Sequence, residues 1–278
     1  MRTIEAGEIT KVIRQLSMLA NTHADSRMSS AIKAAAADES QPLAMSVLEM
    51  ICQNMEIAAE ETMPMCQDTG MVVVFAEVGQ DVYIKGGFTD AINEGVRQGY
   101  KDGFLRASVI NDPAERLNTR DNTPAVIHYN IVKGDKLKLT VMPKGFGSEN
   151  KSALRMLVPA EGIDGACDFV IDTVKKAGGD PCPPIVVGVG IGGTMEKAAI
   201  LSKEALLAMF DETESHYWRQ VESGLLDRIN TLSIGAGGFG GKHTALGVKI
   251  LAFPTHIAGL PVAVNIGCHV SRKRTAIL

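Results

Sequence analysis

Three short apolar runs constrain this chain most, because each abuts a Pro- or Gly-rich loop that carries a cysteine. Pro64-Met65-Cys66-Gln67-Asp68-Thr69-Gly70 precedes Met71-Val72-Val73-Val74-Phe75. Asp180-Pro181-Cys182-Pro183-Pro184 precedes Ile185-Val186-Val187, and Pro261-Val262-Ala263-Val264 runs into Asn265-Ile266-Gly267-Cys268-His269. Apolar runs bounded in this way read as strands. Loops at strand ends are where a rigid scaffold presents reactive groups.

Between these strands the pattern turns helical. Ile9, Val12, Ile13, Leu16 and Leu19 recur at helical spacing within residues 5–19, and an Ala-rich helix covers 27–37. A third helix starts near Pro42, a residue suited to a first turn. Further helices are expected over 90–104, 162–177, 194–210 and 214–226, and strands over 71–78, 185–189, 244–252 and 261–266. Residues 124–132 and 136–142 read as a hairpin turned at Lys133-Gly134-Asp135. Glycine loops are expected at 144–152, 190–193 and 233–243. Irregular alternation with a hairpin predicts an α/β fold of mixed β-sheets flanked by helices, with the cysteine loops at strand ends and residues 1–278 forming one domain.

The net charge of -4 gives no general attraction to nucleic acid or acidic membranes. No apolar run reaches membrane-spanning length, and Glu5 and Glu8 sit where a secretion signal would be apolar, so a cytoplasmic protein is expected. Five cysteines without a close pair argue for free or metal-bound thiols rather than a disulfide framework. Cys52 and Cys167 fall on helices and read as small buried hydrophobes.

Two glycine motifs compete for a ligand. Gly188-Val189-Gly190-Ile191-Gly192-Gly193 fits the dinucleotide pattern, but the acidic partner position falls between two helices at Asp211-Glu212. Close packing is the plainer explanation. Gly235 to His243 resembles a phosphate loop, yet Ala236 stands where its first glycine belongs and His243 where a hydroxyl should hold magnesium; a backbone anion nest stays open. His23, His128 and His216 read as structural, whereas His256 and His269 flank Cys268. Arg106 taken alone reads as a solvated charge.

With Met65 to Gly70, Gly147-Ser148-Glu149-Asn150-Lys151, Cys182-Pro183-Pro184, Gly241 to Gly247, and His256 through Cys268 together, the whole chain resembles the alpha subunit of class I fumarate hydratases and L-tartrate dehydratases. The resemblance implies that Cys66, Cys182 and Cys268 hold a [4Fe–4S] cluster with one iron lacking a protein ligand. It implies that Gln67, Asp68, Arg106, Gly147 and His256 bind substrate, with Asp68 and His256 as candidates for proton handling. Arg106 suits a bidentate carboxylate pair. Fumarate/malate, tartrate and mesaconate remain alternatives as the small dicarboxylate. The chain ends ten residues after Cys268. Single-chain members continue beyond that point, so a separate beta subunit and a hetero-oligomer are implied, with Arg272-Lys273-Arg274 at the junction.

Overall fold

The structure, a computed structural model, describes residues 2–278. In chain order the elements are β1 (Arg2–Glu5), α1 (Ala6–Thr22), α2 (Ser26–Asp38), α3 (Pro42–Glu60), β2 (Met71–Gly79), β3 (Val82–Lys85), α4 (Phe88–Asp102), β4 (Val126–Val132) and β5 (Leu137–Lys144). They continue with α5 (Phe146–Glu149), β6 (Ala153–Leu157), α6 (Gly162–Ala177), β7 (Ile185–Gly192), α7 (Met195–Leu207), α8 (His216–Asn230), β8 (Ala245–Phe253), β9 (Leu260–Gly267) and β10 (Arg274–Ile277). This is the expected mixed α/β architecture. The chain divides into two compact units. One holds the described residues through Asp25, Asn54–Phe146 and Arg272–Leu278; the other holds Ser26–Gln53 and Gly147–Ser271.

The first unit is built on a four-stranded sheet of order β10-β5-β2-β4. β2 is apolar almost throughout and lies between two neighbours, antiparallel to β5 and parallel to β4. The expected hairpin of β4 with β5 is therefore replaced. The run Val72 to Ala76 is buried and takes a partner on each side, whereas no residue of β4 is fully buried, which suits an edge. Helices α1 and α4 cover one face, where Ile9, Ile13, Ile92 and Val96 are fully buried against Val72, Val74, Leu137 and Leu139. Each such side chain contributes about 1.5–3 kcal/mol. A Cβ on Gly95 would stand 2.6 Å from the Ile13 Cβ, so the glycine inside α4 is what lets the two helices touch. β1 pairs in parallel with β3 in a separate two-stranded ribbon.

The second unit carries a sheet of order β6-β9-β7-β8, with β7 central, parallel to β8 and antiparallel to β9. β7 is buried along its whole length. Gly188, Gly190 and Gly192 all lie in this strand, which takes in most of the loop expected at 190–193. A Cβ at Gly190 would sit 2.1 Å from the Ala198 carbonyl oxygen, and one at Gly188 2.2 Å from that of Ser202. These glycines admit α7 onto the strand; they form no pyrophosphate turn, and the dinucleotide reading falls with that. The core beneath α6 and α8 includes Val170, Val174, Val187, Ile229, Val264 and Ile266.

The sequence pattern did not signal β1, β3, β6 or β10. β10 pairs antiparallel with β5, so the basic segment at the C-terminus is not a loose tail. Among the described residues no helix is long and apolar enough to cross a membrane.

Candidate active site

In the first unit the Cys66 turn is held from several directions. Met65 is buried; its amide donates to the Asn21 carbonyl at 2.9 Å, and its carbonyl accepts the Asn54 side-chain amide at 2.9 Å. The Asp68 carboxylate accepts the Gly70 amide on Oδ1 at 3.0 Å and the Phe146 amide on Oδ2 at 2.9 Å. The Thr69 hydroxyl donates to the Arg106 carbonyl at 2.8 Å. Beneath the turn the Tyr100 hydroxyl donates to the carbonyls of Thr69 at 2.6 Å and Gly70 at 3.0 Å, and Asn122 donates to Gly70 at 3.1 Å. Burial pushes the Tyr100 phenol well above its ordinary range, so it stays a donor.

Against this fixed backbone, two side chains are left uncommitted. Gln67 is exposed, and Arg106 is exposed with no ion pair or hydrogen bond from its guanidinium among the described residues. The turn leading to Arg106 begins at Phe104, a non-glycine residue at φ 51 whose ring is 93% exposed. Strained backbone of this kind persists where surrounding contacts over-determine it. Cys66 is half-buried.

The second unit carries the other candidates. Cys182 is exposed and sits at φ 56 between prolines. Its amide donates to Gly179 at 3.1 Å, and its carbonyl lies 2.9 Å from His269 Nδ1. His269 thus fixes the Cys182 loop from the residue next to half-buried Cys268. Gly147 is exposed on the short helix α5. A Cβ there would meet nothing nearer than the Asp180 carbonyl oxygen at 3.8 Å, so packing does not require a glycine. Glu149 anchors that helix, accepting Lys203 Nζ at 2.6 Å and Asn265 Nδ2 at 3.3 Å. His256 is exposed in the β8–β9 turn, where its Nδ1 accepts the Ala258 amide at 3.2 Å. In the neutral ring that bond leaves the proton on Nε2.

The second glycine loop is already filled by the protein itself. Glu39, 7% exposed, accepts the amides of Ser40 and Gln41 on Oε1 and that of Lys242 on Oε2. Lys242 Nζ turns to the Asp38 carbonyl at 2.6 Å. A carboxylate of the chain stands in the place an anion would take, so the phosphate-loop reading is withdrawn. His23 and His128 have the structural settings expected, beside the Thr22 hydroxyl and stacked on Phe75. Cys167 is half-buried against the core, and burial pushes its thiol up.

Sequence reasoning set His269 apart only as a neighbour of Cys268, and took Arg272 for part of a basic junction rather than for a buried anchor of the Cys66 turn. Arg272 is 4% exposed and donates to the Asp68 carbonyl at 2.8 Å, while Arg274 donates to the carbonyls of His23 and Ala24. Both guanidinium groups are turned into the protein rather than out into solvent. Nothing in an Arg-Lys-Arg run distinguishes an inward fork from a solvated one.

No disulfide joins the five cysteines, and among the described residues no three His, Cys, Asp or Glu side chains form a group for a single metal ion. Cysteine thiolates are soft donors whose chemistry suits an iron–sulfur group better than a lone hard cation, and Cys66, Cys182 and Cys268 each lie in a loop at a strand end, Cys182 at a left-handed φ.

The first unit thus presents a thiol, an amide and a guanidinium at Cys66, Gln67 and Arg106, and the second unit presents two thiols and an imidazole at Cys182, Cys268 and His256, on an α/β scaffold. The fumarate hydratase (fumerase) family matches residues 10–277, and the chain belongs to that family. It is 38% identical over 278 residues to a Methanocaldococcus jannaschii protein named provisionally as L(+)-tartrate dehydratase subunit alpha, covering 96% of each chain. It is 26% identical over 276 residues to L(+)-tartrate dehydratase subunit alpha of Escherichia coli K12, covering 98% of this chain and 91% of that one. It is 33% identical over 233 residues to the anaerobic class I fumarate hydratase of Escherichia coli K12; that match covers 80% of this chain and 42% of the relative.

Proposed function

We propose that this chain is the cytoplasmic alpha subunit of a [4Fe–4S] hydro-lyase that hydrates fumarate reversibly to (S)-malate, completed by a separate beta subunit. The observation that carries the reading is the contrast at the Cys66 turn. Its backbone is fastened at Met65, Asp68, Thr69 and Gly70, while the Gln67 amide and the Arg106 guanidinium are left exposed and uncommitted. Preorganised backbone with idle polar side chains is what binding a small polar ligand requires.

Cys66, Cys182 and Cys268 would hold the cluster, which would supply Lewis acidity toward the substrate hydroxyl. The chain's own residues divide the remaining work. Arg106 grips a substrate carboxylate through two parallel N–H bonds. Gln67 donates from its amide and so fixes the orientation. Gly147 leaves room for the substrate where a side chain would intrude. His256, with its proton on Nε2, donates to a carboxylate or to the departing hydroxyl. Asp68, both of whose oxygens accept amides, fixes the turn that carries Gln67 and is the second candidate for receiving a proton.

Identity to the Escherichia coli fumarate hydratase, 33%, exceeds that to the tartrate dehydratase subunit of the same organism, 26%, which favours fumarate. The 38% relative named for tartrate supports a second reading, dehydration of L-tartrate to oxaloacetate. The test is anaerobic purification with iron and sulfide analysis of the wild type and of Ala variants at each cysteine. Losing bound iron at Cys66, Cys182 and Cys268, but not at Cys52 or Cys167, is the expected result. A colourless wild-type protein that takes up no iron on reconstitution, or iron that depends on Cys52 or Cys167, would overturn the reading.

A further inference from the structure

Cys66 and Gln67 are bracketed by two residues, Met65 and Asp68, and one buried cation holds both brackets. Arg272 Nη2 donates to the Asp68 carbonyl at 2.8 Å, and Nη1 donates to Asn21 Oδ1 at 3.0 Å. Asn21 in turn accepts the Met65 amide on its own carbonyl at 2.9 Å, and its side-chain amide is anchored on the Ser17 carbonyl. Met65, Asn21, Arg272 and Asp68 thus form a closed strap over the two residues between them.

The chemistry of the strap is unusual. Arg272 is 4% exposed and, among the described residues, makes no ion pair and has an Nε–H that is buried without a partner. Both of its acceptors are neutral oxygens. A guanidinium cannot shed its charge on burial, so an unpaired one is a standing cost to the folded chain. A neutral side chain would spare that cost and could still fill the space. What only a guanidinium provides is a rigid planar fork whose two ends reach two acceptors at fixed separation. The placement is specific to the turn, because the next arginine, Arg274, is directed at His23 and Ala24 instead.

We propose that Arg272 is a positioning residue that sets the Cys66 thiol and the Gln67 amide in the orientation used to bind the iron–sulfur group and the substrate. This rests on the functional reading above. It goes beyond that reading by assigning the orientation of the turn to a charge in the C-terminal segment.

The test compares Arg272→Lys, which keeps the charge and loses the fork, and Arg272→Gln with Arg274→Gln as control. All are made in the full-length chain and reconstituted anaerobically with ferrous iron and sulfide. Amide hydrogen exchange is read over residues 64–70 and over β7, and the line shape of the reduced cluster is read by electron paramagnetic resonance. Both Arg272 variants should exchange about tenfold faster or more over 64–70, the loss expected for a charged hydrogen bond. β7 should be unchanged. The line shape per bound cluster should alter in the Arg272 variants and not in Arg274→Gln.

Wild-type exchange over 64–70 in Arg272→Lys overturns the inference, as does equal acceleration in Arg274→Gln. An unaltered line shape beside accelerated exchange overturns it too, because loop order then does not reach the bound group. Failure of both Arg272 variants to fold makes the residue structural and likewise overturns it. If the wild type takes up no iron, the functional reading falls, and the exchange measurement alone decides whether Arg272 positions the turn.

Discussion

Replacing Tyr100 by Phe removes one oxygen atom and leaves the ring in place, which isolates what the hydroxyl does. The Tyr100 side chain is 2% exposed, so water does not replace the lost donor. Its hydroxyl serves two carbonyls, those of Thr69 at 2.6 Å and Gly70 at 3.0 Å. Gly70 keeps the Asn122 amide at 3.1 Å, whereas Thr69 loses its buried donor. One uncompensated carbonyl costs about 1–2 kcal/mol. For a chain of this size that lowers the melting temperature by about 2–6 °C.

The same substitution has a signature in pH. Burial raises the Tyr100 phenol in the folded chain, while an unfolded tyrosine titrates near about pH 10. The folded form holds the proton more tightly, so this stabilisation is complete below about pH 10 and is lost as pH rises beyond it. Urea unfolding followed by circular dichroism should therefore show wild type ahead at pH 8 and the gap closing as the solution becomes more alkaline. A difference below about 0.5 kcal/mol at pH 8, or a gap that stays constant through pH 10 and above, would refute the reasoning, since a buried hydroxyl bound to two carbonyls cannot be energetically silent.

Three further substitutions test the rest of the account. Arg106→Lys keeps charge but loses the planar fork; kcat/KM for the dicarboxylate, measured with the partner subunit, should fall about tenfold or more, with iron content and melting temperature unchanged. Gly147→Ala places a Cβ no closer than 3.8 Å to any neighbour outside the adjacent residues, so stability should hold within about 0.5 kcal/mol while KM rises; a folding defect would show that the glycine serves packing. Glu39 is pushed upward by burial, but the amides of Gln41, Lys242 and Ser40, with the nearby His243, outweigh this and leave its pKa below the ordinary value. Its stabilisation is thus present above the unfolded carboxylate pKa and fades as pH falls through the folded one. Urea titrations of Glu39→Gln should show a smaller loss of stability below about pH 4.5 than wild type does.

Much of the scaffold was legible because its strands and helices are strongly patterned. The run 71–75 and the 3.6-residue spacing of Ile9, Ile13 and Leu16 define buried faces that no tertiary contact had to create. Strand order was less legible. A turn at Lys133-Gly134-Asp135 suggests that its flanks pair, but the sequence does not say that a more apolar strand, β2, competes for the place between them. The glycines of β7 misled for a related reason: close helix–strand packing and a phosphate turn both call for glycine, and only the position of α7 separates the two. In the candidate site two residues project outward: Gln67 stands in a motif that drew attention to it, whereas Arg106 taken alone reads as a solvated charge and gained a role only through the resemblance. The residues that hold the turn in place, Asn21, Tyr100, Asn122 and Arg272, were not legible. They come from distant parts of the chain and carry no local pattern; their role rests on carbonyls that sequence does not display.

The central claim is that this chain supplies thiolates and substrate contacts to a hydro-lyase. The most direct measurement is turnover by the chain co-expressed with the proposed beta subunit, purified and reconstituted without oxygen, with fumarate, (S)-malate and both tartrate enantiomers as substrates. The account predicts rapid interconversion of fumarate and (S)-malate that is lost in the Cys66→Ala variant, decays in air, and returns with ferrous iron and a thiol. Preference for L-tartrate would leave the class intact and change the substrate. Iron-loaded protein that turns over none of the four, or activity undiminished by aeration and chelation, would contradict it.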